Sequence, residues 1–122
     1  MNLFKNASAF AAALIFLCSV SFVGCGKSEF KKWKQQGMSA ETSEEQIECF
    51  TNALDSWTEK DGNRDKAIVY TKRGNAYADM GHFGMALGDY TTAIAIDPRC
   101  SEAYSKKASL DGTISNLSTS QD

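Results

Sequence analysis

The sequence predicts an all-α protein on two observations. The 122 residues include a single proline, and the apolar side chains after position 40 recur three and four residues apart, the spacing that places them on one face of a helix. No stretch of comparable length alternates between apolar and polar residues, as a half-buried β-strand would. A chain of this length forms one domain at most and buries a modest core.

The charge is distributed unevenly along the chain. Residues 25–36 hold four lysines and one glutamate, a net charge of +3, whereas residues 37–122 hold 8 basic and 14 acidic side chains, a net charge of −6. A basic segment therefore precedes an acidic body. The sequence contains no arginine-rich arm and no basic recognition helix, so we predict no nucleic-acid partner.

The N-terminal segment has the composition of an export signal. Lys5 precedes a stretch of weakly polar and apolar residues at 7–23, which ends at the small residues Gly24, Cys25 and Gly26. A basic start, an apolar centre and small residues at the end are typical of a cleaved signal peptide. A retained transmembrane helix is the alternative, but 17 residues with three serines are at the short limit for crossing a bilayer.

The end of this segment, Phe22-Val23-Gly24-Cys25, resembles the lipobox of bacterial lipoproteins, with phenylalanine where that family usually has leucine, valine or alanine. The resemblance implies a signal peptide at 1–24, a diacylglycerol on the thiol of Cys25 and N-acylation of the new amine. Residues 25–40 would then form a lipidated basic tether, anchored stably because two or more acyl chains hold it. Secretion without lipid, after cleavage at another small residue, is the alternative.

The location that this resemblance implies is a cell membrane or the outer membrane, on the periplasmic or extracellular face. In such lipoproteins a glycine at the position of Gly26 is compatible with outer-membrane sorting. The lysines of the tether would attract anionic lipid headgroups. Phe30 and Trp33 can either enter the membrane interface or pack on the helical domain, and the sequence leaves both possibilities open.

A run of small and aromatic residues extends over 67–98. Small residues allow two helices to approach closely, aromatic residues fill the space around that contact, a glycine ends the first helix and a proline follows the second. In chain order these residues are Tyr70, Gly74, Tyr77, Gly81, Phe83, Ala86, Tyr90, Ala93 and Pro98. Their spacing resembles the tetratricopeptide repeat (TPR), which implies an antiparallel hairpin of helices at 66–80 and 83–96. Arg73 departs from that family, in which leucine is commonest at this position.

Upstream of this repeat lies a weaker copy of its second helix. The residues from Ser43 to Gln46 form a capping box that opens a helix. Phe50 and Ala53 on this helix repeat the spacing of Tyr90 and Ala93, 40 residues earlier. The separation exceeds the usual TPR period of about 34 residues, and a polar loop at 58–64 accounts for the excess.

Downstream, Ala103 and Tyr104 restart the pattern of a first helix, and Gly112 then begins a polar segment. We therefore predict a small TPR-like solenoid at 41–111 and a polar flexible tail at 112–122. Stacked repeats usually need about three units for stability. With fewer units in this chain, we expect self-association into a homo-oligomer or packing on a partner.

In TPR proteins the first helix of each unit lines a concave groove that receives peptides or helices of other proteins. The resemblance places eight residues of this chain in such a groove: Ile68, Thr71, Asn75, Ala78, Asp79, Glu102, Ser105 and Ser109. It implies a scaffold for protein–protein interaction, whose partner is another protein of the bacterial cell envelope. A helical protein that only self-associates, or that is secreted into the periplasm without a lipid anchor, is the alternative. Glu102 has the wrong charge for a groove that binds a carboxylate.

No motif places residues that could catalyse a reaction, so we predict no enzymatic activity. His82, the only histidine, falls in the predicted turn. The run from Asp61 to Asp65 is similar to the start of a calcium loop, but Lys66 replaces the required glycine and Lys72 replaces the bidentate glutamate. We therefore expect no metal site and no cofactor besides the covalent lipid.

Two unlipidated thiols, Cys49 and Cys100, remain after removal of the signal peptide. An export compartment permits a disulfide between them. A predicted helical hairpin separates them, however, and the bond needs α-carbons within about 7 Å of each other. Two free thiols are therefore the alternative.

Overall fold

A computed structural model of the chain describes residues 28–120. Within this range five α-helices follow one another: α1 (Glu29–Ser39), α2 (Ser43–Asp55), α3 (Asn63–Asp79), α4 (Phe83–Ile96) and α5 (Ser101–Thr119), with a 3-10 turn at Glu59–Asp61 between α2 and α3. No strand is present in this part of the chain. The predicted all-α, repeat-like fold class is confirmed.

Each helix packs against the one that follows it, and α3 also contacts α5. The connections after α1 and after α3 are three residues long, and connections this short join antiparallel neighbours. α1/α2 and α3/α4 are therefore two helical hairpins, stacked through the contact of α2 with α3. Helix α5 covers the end of the stack that α3 and α4 form.

The ends of the helices follow local signals in the sequence. Thr42 caps α2, because its Oγ1 accepts a hydrogen bond from the backbone N–H of Glu45 at 3.2 Å; the cap lies one residue before the predicted Ser43. Gly81 has a φ of +78°, the left-handed conformation expected of a glycine that ends a helix. Helix α4 has the predicted bounds, whereas α3 begins at Asn63, three residues before the predicted start at 66.

The domain boundary predicted at residue 41 is too late in the chain, because helix α1 also belongs to the folded domain. Phe30 is fully buried and packs with Phe50, Ala53 and Val69 in one apolar cluster, against which Trp33 also lies. Most of the predicted tether at 25–40 is therefore a helix of the folded domain. Of the two possibilities left open for Phe30 and Trp33, the structure has them pack on the domain.

The hairpin α1/α2 repeats the packing of α3/α4. In α1, Trp33 precedes Gly37 by four residues, as Tyr70 precedes Gly74 in α3. A Cβ atom on Gly37 would lie 2.6 Å from Cε1 of Phe50, and one on Gly74 would lie 2.7 Å from Cε1 of Tyr90. Both hairpins thus place an aromatic ring of the second helix on a glycine of the first.

The flexible tail predicted at 112–122 is wrong for residues 112–119, which belong to helix α5. Leu110 is buried in a cluster with Ala86 and Tyr90, and Ile114, one turn later, packs against the same cluster. A glycine inside a helix costs about 1 kcal/mol relative to alanine. We attribute the continuation through Gly112 to the apolar contacts that lie on both sides of it.

None of the helices in the described range is long and apolar enough to cross a membrane. The predicted signal peptide at 1–24 and the predicted lipid attachment at Cys25 lie outside the described residues.

Candidate functional site

A cleft of about 170 Å³ lies between the first helix of the second hairpin and the terminal helix. We call it the α3/α5 groove. Its lining residues are Asn75, Ala78 and Asp79 of α3, Tyr90 of α4, and Lys106, Ser109, Leu110 and Thr113 of α5. Three helices therefore contribute to it, and their packing fixes the shape of the groove.

The floor of the groove is formed by Tyr90, which is 2% exposed. Its hydroxyl donates a hydrogen bond to Oδ1 of Asn75 at 2.8 Å. Burial, together with the carboxylates of Asp79, Glu102 and Asp89, raises the pKa of Tyr90 to about 12. The hydroxyl is therefore protonated at neutral pH and serves as a donor.

Asn75 links the floor to a polar cluster at the edge of the groove. Its Nδ2 donates to Oε1 of Glu102 at 3.3 Å, and Nζ of Lys72 donates to the same oxygen at 2.8 Å. The hydrogen bond from Lys72 is the main influence that lowers the pKa of Glu102 below its usual value. Both ends of the Asn75 amide are thus engaged, which holds this side chain in one orientation.

Of the eight predicted groove residues, five line the cleft or are hydrogen-bonded to its wall, and two lie outside it. Asn75, Ala78, Asp79 and Ser109 line it directly, and Glu102 is hydrogen-bonded to its wall. Ser105 is exposed on α5 and Ile68 is half-buried on α3, both outside the cleft. The TPR resemblance places these residues along the first helices of two repeat units, but the cleft occupies only part of that surface.

The eighth residue, Thr71, is wrongly predicted as a groove residue. It is fully buried, its Oγ1 donates to the carbonyl of Ala67 at 2.9 Å, and the same oxygen lies 3.5 Å from Sγ of Cys100. The chain that leads into α5 passes directly over it. A ligand in the groove cannot reach this hydroxyl.

The structure adds residues that the sequence prediction missed. Lys106, Leu110 and Thr113 line the groove from α5, and Tyr90, predicted only as a packing residue, forms its floor. Lys106 and Thr113 lie four residues after Glu102 and four residues after Ser109, so helical spacing extended along α5 would have found both.

Apart from Tyr90, the predicted packing residues lie around the groove rather than in it. Tyr70 packs against the buried alanines of α3, α4 and α5, whereas Tyr77 and Phe83 pack against the cluster of Ala86, Tyr90 and Leu110. Pro98 is exposed just beyond the end of α4. These contacts hold α3, α4 and α5 together and so maintain the shape of the groove.

Arg73, which departs from the TPR pattern, has a structural role. Its Nε and Nη2 donate to Oδ2 and Oδ1 of Asp89, both at 2.8 Å, and its Nη1 donates to Oγ1 of Thr51 at 3.1 Å. The guanidinium carbon lies 5.4 Å and 5.7 Å from the ring centres of Tyr70 and Tyr77. Arg73 therefore joins α3 to α4 within one hairpin and to α2 of the other.

Cys49, Cys100 and His82 do not line the groove. Cys49 is buried and Cys100 is half-buried, and both are free thiols. Burial, with Glu48 and Glu45 nearby, raises the pKa of the Cys49 thiol above its ordinary value. His82 is exposed in the turn before α4.

The side chains that line the groove offer both hydrogen-bonding and apolar contacts, which suit recognition of a ligand.

Comparisons of this chain with models of protein families, with curated proteins and with solved structures found no match.

Proposed function

We propose that this chain is a TPR-like bacterial lipoprotein that binds another protein of the cell envelope in its α3/α5 groove. The observation that carries the proposal is the groove itself, an open cleft between helices that is lined by both polar and apolar side chains. The lipobox-like sequence ending at Cys25 supports the anchor, and the landmark spacing at 67–98 supports the TPR-like scaffold. We expect no catalytic reaction and no cofactor besides the lipid.

The polar groups of the groove favour binding without rearrangement. Tyr90, Asn75, Glu102 and Lys72 are joined to one another by hydrogen bonds. Groups that are already fixed lose little conformational entropy when a ligand binds. A segment of a partner protein can then use the exposed rim of the groove, where Asp79 and Lys106 provide charges of opposite sign.

The first experiment tests the anchor by expressing the full chain in a bacterium. We expect the mature protein to start at Cys25, to carry added acyl mass and to fractionate with membranes, and we expect Cys25→Ala to lose all three properties. Cys18→Ala is the matched control, because Cys18 lies within the predicted signal peptide and leaves with it. Unacylated, soluble wild-type protein would refute the anchor.

The second experiment tests the groove by placing a photo-crosslinking amino acid at Ser109 in living cells. We expect one envelope protein to be captured. Ala78→Arg should abolish its capture, because the new side chain would project into the cleft. Ala95→Arg is the matched control, since Ala95 is exposed on α4 and is not among the lining residues. Equal capture in both variants would show that the partner binds elsewhere.

A further inference from the structure

Basic and acidic side chains are separated along the helical stack. Because consecutive helices run antiparallel, the starts of α1, α3 and α5 lie at one end of the stack, together with the ends of α2 and α4. Two apolar clusters align α3, α4 and α5 along this direction. The cluster nearer this end contains Ala67, Ala93 and Ala103, and the cluster nearer the other end contains Ala86, Tyr90 and Leu110.

We divide the stack at the level of Gly37 and Gly74, on which the aromatic rings of the following helices lie. The basic half consists of residues 28–36, 49–73 and 89–107, and the acidic half consists of residues 37–48, 74–88 and 108–120. The basic half holds 11 basic and 8 acidic side chains, a net charge of +3. The acidic half holds six acidic side chains and no lysine or arginine, a net charge of −6. Every lysine and arginine of the described residues is therefore in one half.

The positive charge of the basic half is more prominent at its surface than the net charge suggests. Three of its eight carboxylates, those of Asp61, Asp89 and Asp97, are buried and accept hydrogen bonds within the domain. Lys60 and Arg64, in contrast, are exposed. Neither forms an ion pair with another of the described residues, so both charges are available to a partner.

The chain enters the structure at the basic end. Cys25, the proposed lipid attachment, precedes Ser28, the first described residue, by three positions. Lys31 is exposed on the first turn of α1. Nζ of Lys34 lies 3.0 Å from a carboxylate oxygen of Asp65, so the start of α1 lies beside the start of α3. The lipid would therefore be attached next to the end of the stack that carries the exposed basic residues.

We infer that the basic half of the domain faces an anionic lipid bilayer and that the acidic half points away from it. The inference rests on the lipid anchor proposed at Cys25. The short segment after Cys25 brings the start of α1 close to the bilayer but leaves the tilt of the domain free. Anionic headgroups attract lysine and arginine side chains and repel carboxylates, so the separation of charge determines the tilt.

This orientation keeps the α3/α5 groove accessible. Six of the eight residues that line the groove belong to the acidic half, which would be turned away from the headgroups. The acidic half is also the part of the domain that an anionic surface repels most strongly. A protein bound in the groove would then not compete with lipid for the same residues.

The test measures the tilt by energy transfer from a fluorophore on the acylated full chain to an acceptor on the headgroups of vesicles. Asn63→Cys carries the fluorophore at the basic end, and Met85→Cys carries it at the acidic end; both positions are exposed. Helix α3, with its 17 residues, is about 25 Å long, so the two ends of the stack can be distinguished. Both proteins would carry Cys100→Ser, because Cys100 is only half-buried.

On vesicles of equal parts phosphatidylglycerol and phosphatidylcholine, we expect Asn63→Cys to transfer more energy than Met85→Cys. On phosphatidylcholine alone the ratio of the two transfer efficiencies should fall at least about twofold, because a neutral surface does not orient the charges. Salt at about 1 M should lower the ratio on anionic vesicles in the same way, since it shortens the screening length to about 3 Å.

A pair of double variants tests the residues of the basic end. Lys60→Glu with Arg64→Glu should lower the ratio on anionic vesicles to the value on phosphatidylcholine. Lys106→Glu with Lys107→Glu is the matched control, because it changes the net charge equally at the level that divides the two halves, and it should leave the ratio nearly unchanged. Circular dichroism should show the same helical content in both double variants, since all four side chains lie at the surface.

Three results would overturn the inference: equal transfer from the two labels on anionic vesicles, the same ratio on both lipid compositions, or equal effects of the two double variants. Mass spectrometry distinguishes these results from a failure of the anchor. An unacylated protein would refute the anchor at Cys25 and the orientation together. Acylated protein with equal transfer from the two labels would refute the orientation alone.

Discussion

Arg73 of α3 donates two hydrogen bonds, each 2.8 Å long, to the two carboxylate oxygens of Asp89 in α4. The side chains are 18% and 9% exposed, so neither charge is well solvated once the other is removed. The hydrogen bond to Asp89 is also the main influence that raises the pKa of Arg73. This pair and the hydrogen bond from Tyr90 to Asn75 are polar connections between α3 and α4.

We predict that Arg73→Leu lowers the free energy of unfolding by about 2 to 3 kcal/mol, although leucine is the residue that TPR units usually carry here. The loss arises because Asp89 stays largely buried without its partner. Adding Asp89→Leu to Arg73→Leu should recover most of the stability, since a pair of apolar residues leaves no buried charge. Urea denaturation of the two single variants and the double variant measures the coupling. Additive losses would contradict this account.

Gly74→Ala should destabilise the chain by about 1 to 3 kcal/mol, because the added methyl group would overlap the Tyr90 ring in a packed contact. Gly88→Ala is the matched control. Gly88 also lies inside a helix, but a Cβ there would meet no atom within 4 Å. This control should stabilise the chain by about 0.5 to 1 kcal/mol through helix propensity alone. Thermal or urea denaturation distinguishes the two, and equal effects would argue against the close approach of α3 and α4.

Phe30→Ala should lower the free energy of unfolding by about 3 to 5 kcal/mol, the usual cost of removing a buried aromatic ring. Met38→Ala on the same helix is the control, since Met38 is 48% exposed and its loss should cost little. The measurement tests whether α1 belongs to the core. If the two variants had the same stability, α1 would be a tether rather than part of the first hairpin.

Stability should fall at alkaline pH because of Tyr90. Its pKa is raised in the folded state to about 12, against about 10 in the unfolded chain. Below pH 10 the hydroxyl is protonated in both states. Between pH 10 and about 12 only the unfolded state loses the proton, which favours unfolding.

We therefore expect the wild type to lose about 1 kcal/mol more stability than Tyr90→Phe between pH 9 and pH 11. At neutral pH the variant should be less stable by about 1 kcal/mol, because Asn75 loses a hydrogen bond. Tyr104→Phe serves as the control at an exposed position, where loss of the hydroxyl should cost little stability at neutral pH. Parallel curves for wild type and Tyr90→Phe would show that Tyr90 ionises normally.

The second hairpin could be predicted from the sequence because its signals are local. Gly81 and Pro98 limit α4 on either side, and the bounds of α4 were predicted to the residue. The small residues Gly74 and Ala86 also stand where the two helices meet. Such features depend on the backbone preferences of glycine and proline and on the 3.6-residue helical period.

The first hairpin could not be predicted in full because its decisive contacts are distant in sequence. The lysines of α1 suggest a solvated segment, yet Nζ of Lys34 lies 3.0 Å from a carboxylate oxygen of Asp65 in α3. Phe30 and Val69, which are 39 residues apart in the sequence, belong to the same apolar cluster. One signal for the first hairpin is present in the sequence: the four-residue spacing of Trp33 and Gly37 repeats that of Tyr70 and Gly74.

Only part of the groove could be predicted, because some of the contacts that shape it are also distant in sequence. The TPR resemblance grouped Asn75 and Ala78 of α3 with Ser109 of α5, and all three line the cleft. The resemblance also included Thr71, which is fully buried beneath the chain that leads into α5. Burial by a later segment depends on how the chain returns to the stack, and periodicity carries no information about that.

If Cys25 carries the lipid that we propose, the early start of α1 limits the distance between the folded domain and the bilayer. From Cys25 to Glu29, the first residue of α1, four peptide units extend to at most about 14 Å. This short segment would keep the helical stack close to the lipid headgroups. A binding partner would then have to be a protein whose own contact site lies close to the same membrane surface.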